Sequence, residues 1–137
     1  MAKRHWLIKS EPEAYSFDRL VAEGSTLWDG VRNYRARNNL QAMQVGDQAF
    51  FYHSVSDKQI VGIVRVSKAG LPDPRDDTGT WAAVEIEAVR KFARPVSLAA
   101  VKAEPTLAEI ELLRQSRLSV AEIRPDEWDI VCRMGEG

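Results

Sequence analysis

The sequence predicts an α+β fold built on a curved, mostly antiparallel sheet or small barrel, with short helices between the strands. Strand-like runs rich in β-branched and aromatic residues are spread over the whole chain, and short helical patterns interrupt them. Five strands with short helices between them are too mixed for a doubly wound sheet. No repeat, low-complexity run or linker divides the chain, so we expect one domain over residues 1–137.

The predicted strands carry alternating or continuous apolar residues, and they span 4–9, 48–54, 59–68, 81–92 and 117–123. Between the third and fourth strands lies LPDPRDDTGT, residues 71–80, the segment richest in Pro, Gly and Asp. These residue types favour turns. We therefore expect a long hairpin loop there.

Four short helices are predicted. The first spans 17–23, with Ser16 as its N-cap. The second spans roughly 34–44, where a stripe at helical spacing faces the core, formed by Ala36, Leu40 and Met43. Pro105 opens a third helix through residue 113, and Pro125 opens the last, because proline is tolerated in the first helical turn.

Composition excludes several protein classes. A chain of 137 residues with 45% hydrophobic and 28% charged residues is an ordinary globular domain. Its 19 basic and 20 acidic side chains leave a net charge of -1, which excludes the uniformly cationic surface of proteins that coat nucleic acid. Any electrostatic footprint must be local.

Cys132 is the single cysteine, so no intramolecular disulfide forms and we expect a half-buried thiol on the last helix. The chain has only two histidines, His5 and His53, to add to this cysteine, so we do not expect a closed zinc site. We expect no other metal and no cofactor. The N-terminal stretch lacks the apolar run of a signal peptide, and no later segment has the length of a membrane span. We expect a cytoplasmic protein without membrane contact.

The segment WDGVRNYRARNN, residues 28–39, gathers three arginines and three asparagines around one tyrosine, with no acid after Asp29. A helix start there offers free backbone donors and guanidinium groups, which suit phosphate and base-edge contacts. A solvated helix face with asparagine caps is the alternative, and composition alone leaves both open.

A second arginine group lies in LLRQSRLSV, residues 112–120, where Arg114, Gln115, Ser116 and Arg117 join a helix end to a strand. The two groups can line one groove although they are distant in sequence. The alternative needs no ligand, because cations in the last helical turn interact favourably with the helix dipole.

Aromatic residues accompany these polar groups. A flipped or single-stranded base needs flat rings on its faces and hydrogen-bonding groups at its edge, and Trp28 and Tyr34 have that neighbourhood. Other aromatic residues are assigned to the core: Phe50, Trp81, Phe92 and Trp128.

Seven blocks in order over nearly the whole chain resemble the EVE domain family: WLIKSEP (6–12), YSFDRL (15–20), WDGVRNYRARNN (28–39), VGDQAFFYHS (45–54), IVGIVRV (60–66), RPVSL (94–98) and LLRQSRLSV (112–120). The resemblance implies a PUA-like fold related to the YTH readers. It also implies a pocket for a modified base, such as a methylated or oxidised cytosine in DNA or a modified base in RNA. A bacterial single-domain member of this kind is expected in the cytosol.

The resemblance also implies roles for individual residues. Trp28 and Tyr34 are ring contributors, with Trp6 as a third candidate. Base edge and pocket wall are assigned to Ser10, Glu11, Asp29, Val31, Asn33, His53 and Ser54. Contacts with backbone phosphates are assigned to Arg32, Arg35, Arg37, Arg114 and Arg117. Where relatives often continue the FYHS block with asparagine, this chain has Val55.

Three of these residues have competing structural roles. Glu11 before Pro12 can end a strand, and Asp29 before Gly30 can form a turn. His53 at a strand end is more often a structural histidine than an acid, base or ligand.

Two other function classes compete with a base-binding module. An enzyme would need Glu11, Asp29 and His53 to assemble near the arginines, yet the chain lacks a phosphate-binding glycine loop, a nucleophile elbow and metal-ligand spacing. A small-molecule sensor would use the same aromatic pocket for a free nucleoside. The sequence therefore favours a non-catalytic partner of DNA or RNA that carries a modified base.

Overall fold

The computed structural model describes residues 4–136, so residues 1–3 and 137 of the expected domain lie outside the described part. Its strands are β1 (His5–Ser10), β2 (Ser25–Trp28), β3 (Gln48–His53), β4 (Gln59–Pro72), β5 (Ala82–Ser97) and β6 (Val120–Ile123). Its helices are α1 (Phe17–Glu23), α2 (Tyr34–Ala42), α3 (Leu98–Ala103), α4 (Glu111–Arg114) and α5 (Pro125–Glu136), with a 3₁₀ turn at Pro105–Leu107.

All six strands belong to one sheet in the order β2-β5-β4-β3-β1-β6. Only β1 and β3 run parallel, with Leu7 opposite Phe50; the other neighbouring pairs are antiparallel. The long β4–β5 pair contains several register shifts, one of them between Ile60 and Gly62, and such irregularities bend a sheet. The sheet curves but stays open, with β2 and β6 at its edges. The predicted α+β fold on a curved, mostly antiparallel sheet is confirmed. Of the two forms that the prediction allowed, the structure has the sheet and not the small barrel.

Alternating side chains divide the core between the two faces of the sheet. Trp6 and Ile8 of β1 belong to one buried cluster, which α1 and α2 cover. Leu7, between them, belongs to the other, which includes residues of α3 and α5. Phe50, Phe92 and Trp128 lie in this second cluster, as predicted. Both helix-covered faces are therefore apolar, and polar groups are left to the sheet ends and connections.

Local signals predicted the starts of α1, α2 and α5 correctly. The Ser16 side chain accepts a hydrogen bond from Arg19 N at 3.0 Å at the start of α1. The predicted stripe of α2 is buried along its whole length, at Ala36, Leu40 and Met43. Helix α5 begins at Pro125 and the 71–80 segment joins β4 to β5, both as predicted.

Four elements differ from the predictions, and strands β4 and β5 also run further than predicted, to Pro72 and Ser97. The helix expected over 105–113 is a 3₁₀ turn followed by the separate α4, and β6 begins at Val120 rather than at residue 117. Helix α3 was not predicted, although the Ser97 side chain caps it by accepting from Ala100 N at 3.0 Å. Strand β2 was also missed, because its four residues form a strand only by pairing with β5, with Trp28 opposite Val84.

The outer edge of β6 is covered by side chains. Asn39 Nδ2 donates to Val120 O at 2.7 Å, and Glu122 N donates to Glu111 Oε1 at 3.0 Å. Backbone groups that a further strand would use are thus already bonded to α2 and α4. Within residues 4–136, no helix is long and apolar enough to cross a membrane.

Candidate nucleic-acid interface

Trp28, the last residue of β2, forms one wall of a cleft of about 490 Å³. Its half-buried ring packs edge-to-face on Phe51 at 5.6 Å and on Tyr15 at 6.2 Å between ring centroids. This volume is in the range of small-molecule sites, about 300–1,000 Å³. The cleft, hereafter the Trp28 cleft, is lined by Ala14, Tyr15, Arg19, Glu23, Thr26, Leu27, Trp28, Asp29 and Arg75.

Charged groups of both signs surround the rings of this cleft. The Tyr15 hydroxyl donates to Glu23 Oε1 at 2.6 Å, and the Arg19 guanidinium lies 5.0 Å from the Tyr15 ring centroid. Burial and the Glu23 carboxylate raise the pKa of Tyr15, so its hydroxyl stays protonated at neutral pH. At the other side, Arg75 Nε lies 3.3 Å from Asp29 Oδ2. The cleft thus offers flat rings together with donors and acceptors.

Asp73 joins the loop between β4 and β5 to the segment after Trp28. Its Oδ2 accepts from Gly30 N and from Arg32 Nη1, both at 2.8 Å, and its Oδ1 accepts from Arg75 N at 2.7 Å. Burial acts to raise the pKa of Asp73, but the hydrogen bonds from Arg32, Arg75 and Gly30 outweigh it and the pKa is lowered. Arg75 therefore reaches the cleft from a fixed loop.

The same loop is braced internally by Asp76. Its carboxylate accepts from the Thr78 hydroxyl at 2.6 Å and from Trp81 N at 2.9 Å. These bonds lower the pKa of Asp76 to about 2. A charged carboxylate is consequently part of the loop structure at neutral pH.

The two predicted arginine groups meet in the structure through Asn33 and Arg35 of the first group. Asn33 and Arg35 at the start of α2 line a depression of about 290 Å³ with the segment from Arg114 to Leu118. We call this depression the arginine groove. Asn33 also caps α2, accepting from Ala36 N at 3.0 Å. The arrangement agrees with the groove that the sequence suggested.

The arginines of the groove differ in how they are paired. Arg35 Nη2 lies 2.6 Å from Glu111 Oε2, and Arg114 Nε lies 3.6 Å from Glu109 Oε2. Arg117 is exposed and has no hydrogen bond or ion pair to any residue between 4 and 136. Among the three, Arg117 is the guanidinium most available to an incoming phosphate.

Short contacts connect the cleft with the groove. Ser10 Oγ donates to Tyr15 O at 2.6 Å, on the cleft side. Its neighbour Lys9 donates from Nζ to Ser116 O at 2.8 Å, on the groove side. Asn33 follows Asp29 by four residues and lies in the groove itself. Lys9 and Ser10, consecutive residues at the end of β1, thus contact the groove segment and the cleft residue Tyr15 respectively.

Several residues assigned to the base pocket are structural instead. Trp6 is 0% exposed and its indole N–H donates to Asp47 Oδ2 at 3.1 Å, so it has no free face for a base. Val31 is buried in the core cluster. His53 is also buried, where Nε2 accepts from Phe17 N at 3.1 Å and Nδ1 lies 3.1 Å from Asp57 Oδ2.

Two further assigned residues support the backbone near the cleft without lining it. Ser54 N donates to Ser10 O at 2.9 Å, which joins the end of β3 to the end of β1. The Glu11 carbonyl accepts from Ala14 N and Tyr15 N, so the turn reading of Glu11 applies, while its side chain is exposed. The Ser10 hydroxyl is engaged by the backbone, as described above.

Tyr34 does not line the Trp28 cleft, contrary to the prediction. Its ring packs on Trp81 at 4.9 Å between centroids, and the Arg37 guanidinium lies 5.0 Å from the Tyr34 centroid. Arg37 also donates to Thr80 O at 3.1 Å. Arg32 is bonded to Asp73 and Arg37 to Thr80 O. Neither is therefore the free phosphate ligand that the sequence predicted. Trp81 is half-buried, not part of the core.

Sequence reasoning missed Tyr15 and Arg75 as cleft residues. Tyr15 stood inside the YSFDRL block, which was a usable signal. Arg75 lies in an irregular loop, where no periodicity reports which way a side chain faces. Cys132 is half-buried on α5 as expected, and burial raises the pKa of its thiol to about 11. In the described part of the chain, no three His, Cys, Asp or Glu side chains gather as a metal site.

The open, curved sheet with short helices on both faces is a PUA-like fold. The family model described as the EVE domain matches residues 4–134, and the chain belongs to this family. Human thymocyte nuclear protein 1 is 33% identical over an alignment that covers 96% of this chain and 74% of the relative.

Solved structures show the same fold. A Rhodopseudomonas palustris protein solved by NMR is 47% identical with a TM-score of 0.93, over 96% of this chain and 92% of that one. Human THYN1 was crystallised in complex with DNA that contains 5-methylcytosine; it is 32% identical with a TM-score of 0.91, over 98% and 99% of the two chains.

Proposed function

We propose that this chain is a single-domain, non-catalytic module that binds nucleic acid, takes a modified base into the Trp28 cleft and contacts the adjoining phosphates through the arginine groove. The observation that carries the proposal is the cleft itself. It combines the Trp28 and Tyr15 rings with the Asp29 carboxylate and the Arg75 guanidinium. The 5-methylcytosine DNA bound by the related human protein supports the same reading.

The energy balance explains why rings alone are not enough. Extracting a base from a duplex costs a few kcal/mol, and stacking returns about 1–3 kcal/mol per base. Asp29 and Arg75 supply the edge contacts that complete the balance. A carboxylate accepts from an exocyclic amine such as cytosine N4, and a guanidinium donates to ring or carbonyl acceptors.

Discrimination by a methyl group is limited. Burying one methyl contributes roughly 0.8 kcal/mol, or about fourfold in affinity. We therefore expect modest selectivity for 5-methylcytosine over cytosine, and larger selectivity for a modification that carries a polar group. Either DNA or RNA fits this chemistry, and single-stranded substrates avoid the cost of extraction.

Phosphate contact is assigned to Arg117 first, with Arg35 and Arg114 as contributors that must leave Glu111 and Glu109. Binding in this groove releases counterions, so affinity falls as salt rises. The glutamates beside the groove reduce its net positive charge. We therefore expect a weak general affinity for plain nucleic acid, on which the cleft adds its selectivity.

A nucleoside sensor is the second candidate, because a cleft of about 490 Å³ also suits a free nucleoside. Catalysis by the acid–base set of Glu11, Asp29 and His53 has no support in the geometry. His53 is buried against Phe17 N, and only Asp29 of the three lines the cleft.

The test is a titration of the purified protein with oligonucleotides that carry 5-methylcytosine, 5-hydroxymethylcytosine or cytosine at one position, as single and double strands, at two salt concentrations. Free 5-methyldeoxycytidine is titrated alongside. Tighter binding of the modified oligonucleotides, weakened by salt, supports the proposal. Equal binding of nucleoside and oligonucleotide favours the sensor, and no preference for any modified base contradicts both.

A further inference from the structure

Tyr34 is an exposed aromatic side chain in a fixed position outside the Trp28 cleft. It is 62% exposed, although it belongs to the first turn of α2, whose apolar stripe is buried. The other large hydrophobic side chains that are exposed among the described residues are aliphatic. A singly exposed ring is ordinary at a protein surface, so exposure alone does not mark a site. What distinguishes Tyr34 is the set of groups that hold its ring.

The ring of Tyr34 belongs to a pair of packed aromatic rings with an arginine guanidinium near each ring. Trp81 packs on it at 4.9 Å with the two rings tilted by 31°. The Arg32 guanidinium lies 5.4 Å from the Trp81 ring centroid, and the Arg37 guanidinium lies 5.0 Å from that of Tyr34. We call these four residues the aromatic stack.

Hydrogen bonds hold both arginines of the stack. Arg32 donates to the buried Asp73 carboxylate at 2.8 Å. Arg37 donates to Thr80 O at 3.1 Å and to the Asn38 side chain at 2.8 Å. A ring that is already immobilised loses little conformational freedom when a ligand stacks on it. The stack is thus pre-organised.

We propose that the aromatic stack is a second nucleotide site, where Tyr34 and the adjacent Arg37 guanidinium stack on an unpaired base that flanks the modified base in the same strand. This inference rests on the proposed function of the Trp28 cleft. Bases stack on aromatic rings and on guanidinium planes, and the stack offers both at Tyr34 and Arg37.

Continuity with the cleft places this second base in the same strand. Tyr34 follows Trp28 by six residues, and six residues of extended chain span at most about 20 Å. Both sites include residues of the segment that begins at Trp28 and of the connection between β4 and β5, which Asp73 joins through Gly30 and Arg32. A few nucleotides therefore connect the cleft to the stack.

The experiment uses single-stranded DNA heptamers with one central 5-methylcytosine and the fluorescent base 2-aminopurine at each flanking position in turn. With wild-type protein, we expect emission to fall at one flanking position, because stacking quenches 2-aminopurine. Tyr34→Leu keeps an apolar side chain without a flat ring, and Tyr34→Phe keeps the ring. We expect Tyr34→Leu to abolish the quenching and to weaken heptamer binding about 5- to 150-fold, while Tyr34→Phe changes neither.

Binding of free 5-methyldeoxycytidine separates the two proposals, because it reports on the cleft alone. We expect this binding to be equal in wild type and Tyr34→Leu. Wild-type affinity and quenching in a folded Tyr34→Leu variant would overturn the second site and leave the cleft intact. If wild-type protein prefers neither the modified nucleoside nor the modified heptamer over its cytosine counterpart, the proposed function fails, and the second site fails with it.

Discussion

The guanidinium of Arg32 donates a 2.8 Å hydrogen bond to the carboxylate of Asp73, whose side chain has no exposed surface. This pair joins segment 28–34 to the loop between β4 and β5, because the same carboxylate also binds Gly30 N. The 28–39 segment, which the sequence presents as a possible ligand contact, is thus braced by the loop that the sequence presents only as a hairpin connection. The cleft and the aromatic stack both depend on that brace.

Replacing this carboxylate should destabilise the fold. We expect Asp73→Asn to reduce the free energy of unfolding by about 1–3 kcal/mol, because charge-assisted hydrogen bonds in a buried site are replaced by weaker or absent ones. Urea denaturation measures the change. Asp77→Asn, at an exposed position of the same loop, should stay within about 0.5 kcal/mol of wild type. Equal effects of the two substitutions would contradict the role given to Asp73.

Acid should loosen the same loop. In the folded protein the pKa of Asp76 is lowered to about 2 and that of Asp73 is lowered as well, whereas an unfolded aspartate titrates near about 3.9. A lowered folded pKa contributes stability that is fully present above the unfolded pKa and is lost as pH falls through the folded one. The melting temperature should therefore drop between about pH 4 and pH 2. Asp76→Asn should have a lower melting temperature than wild type at pH 5. Its melting temperature should then fall less than that of wild type between about pH 4 and pH 2.

Removal of the flat ring at Trp28 should erase the preference for a modified base. Because Trp28 also packs on Phe51, truncation to alanine can cost up to about 3–5 kcal/mol of stability. Trp28→Leu keeps apolar bulk and is the better variant. We expect it to bind modified and plain oligonucleotides with equal, weak affinity after losing about 1–3 kcal/mol of stacking on the extracted base. Full discrimination by a folded Trp28→Leu protein would show that another residue recognises the base.

Loss of Arg117 should affect every nucleic acid alike. We expect Arg117→Ala to weaken binding to modified and plain oligonucleotides by the same factor and to reduce the slope of log affinity against log salt by about 0.7–0.9. Arg35→Ala should have a smaller effect, because Arg35 is paired with Glu111 in the free protein. Arg94→Ala is the matched control, an exposed arginine of β5 outside both depressions. An effect of Arg94→Ala as large as that of Arg117→Ala would remove the groove from the interface.

Val55 offers a stabilising substitution. Its φ of 69° lies in the left-handed region, which costs a β-branched residue roughly 1–2 kcal/mol and which asparagine tolerates much better. Val55→Asn should therefore raise the free energy of unfolding by about 1 kcal/mol. Val45→Asn provides the control, since Val45 is similarly exposed and its φ is not positive. Thermal melts of both variants decide the point, and an unchanged or lowered Val55→Asn melting temperature goes against the explanation.

Local signals explain which predictions were correct. The Ser16 cap and the spacing of Ala36 and Leu40 act within one or two helical turns, so neighbouring residues suffice to predict α1 and α2. Strand β2 has no such signal in its four residues, since its hydrogen bonds come from β5 far along the chain. The fold class survives such omissions because it depends on the longer, strongly patterned strands.

Side-chain roles were harder to predict, because they depend on distant partners. From the sequence, Trp6 is a candidate ring of the interface. In the structure its indole N–H donates to Asp47, 41 residues later, within the core. The Tyr34 ring packs on Trp81 and does not line the cleft. The sequence had assigned Trp81 to the core. The expected groove brings Arg35 together with Arg114 and Arg117 but not Arg32 or Arg37, and the pairing of Arg35 and Arg114 with glutamates required the three-dimensional arrangement.

The bonds that Asn39 and Glu111 make to β6 limit how copies of the chain can associate. A strand whose outward N–H and C=O groups are already bonded is a poor template for a second chain, so growth of a continuous intermolecular sheet from this side is blocked. Glu111 also holds Arg35 with its other oxygen. Recruitment of Arg35 by a polyanion would leave the Glu111 carboxylate on the β6 edge, so ligand binding and protection against self-association need not compete.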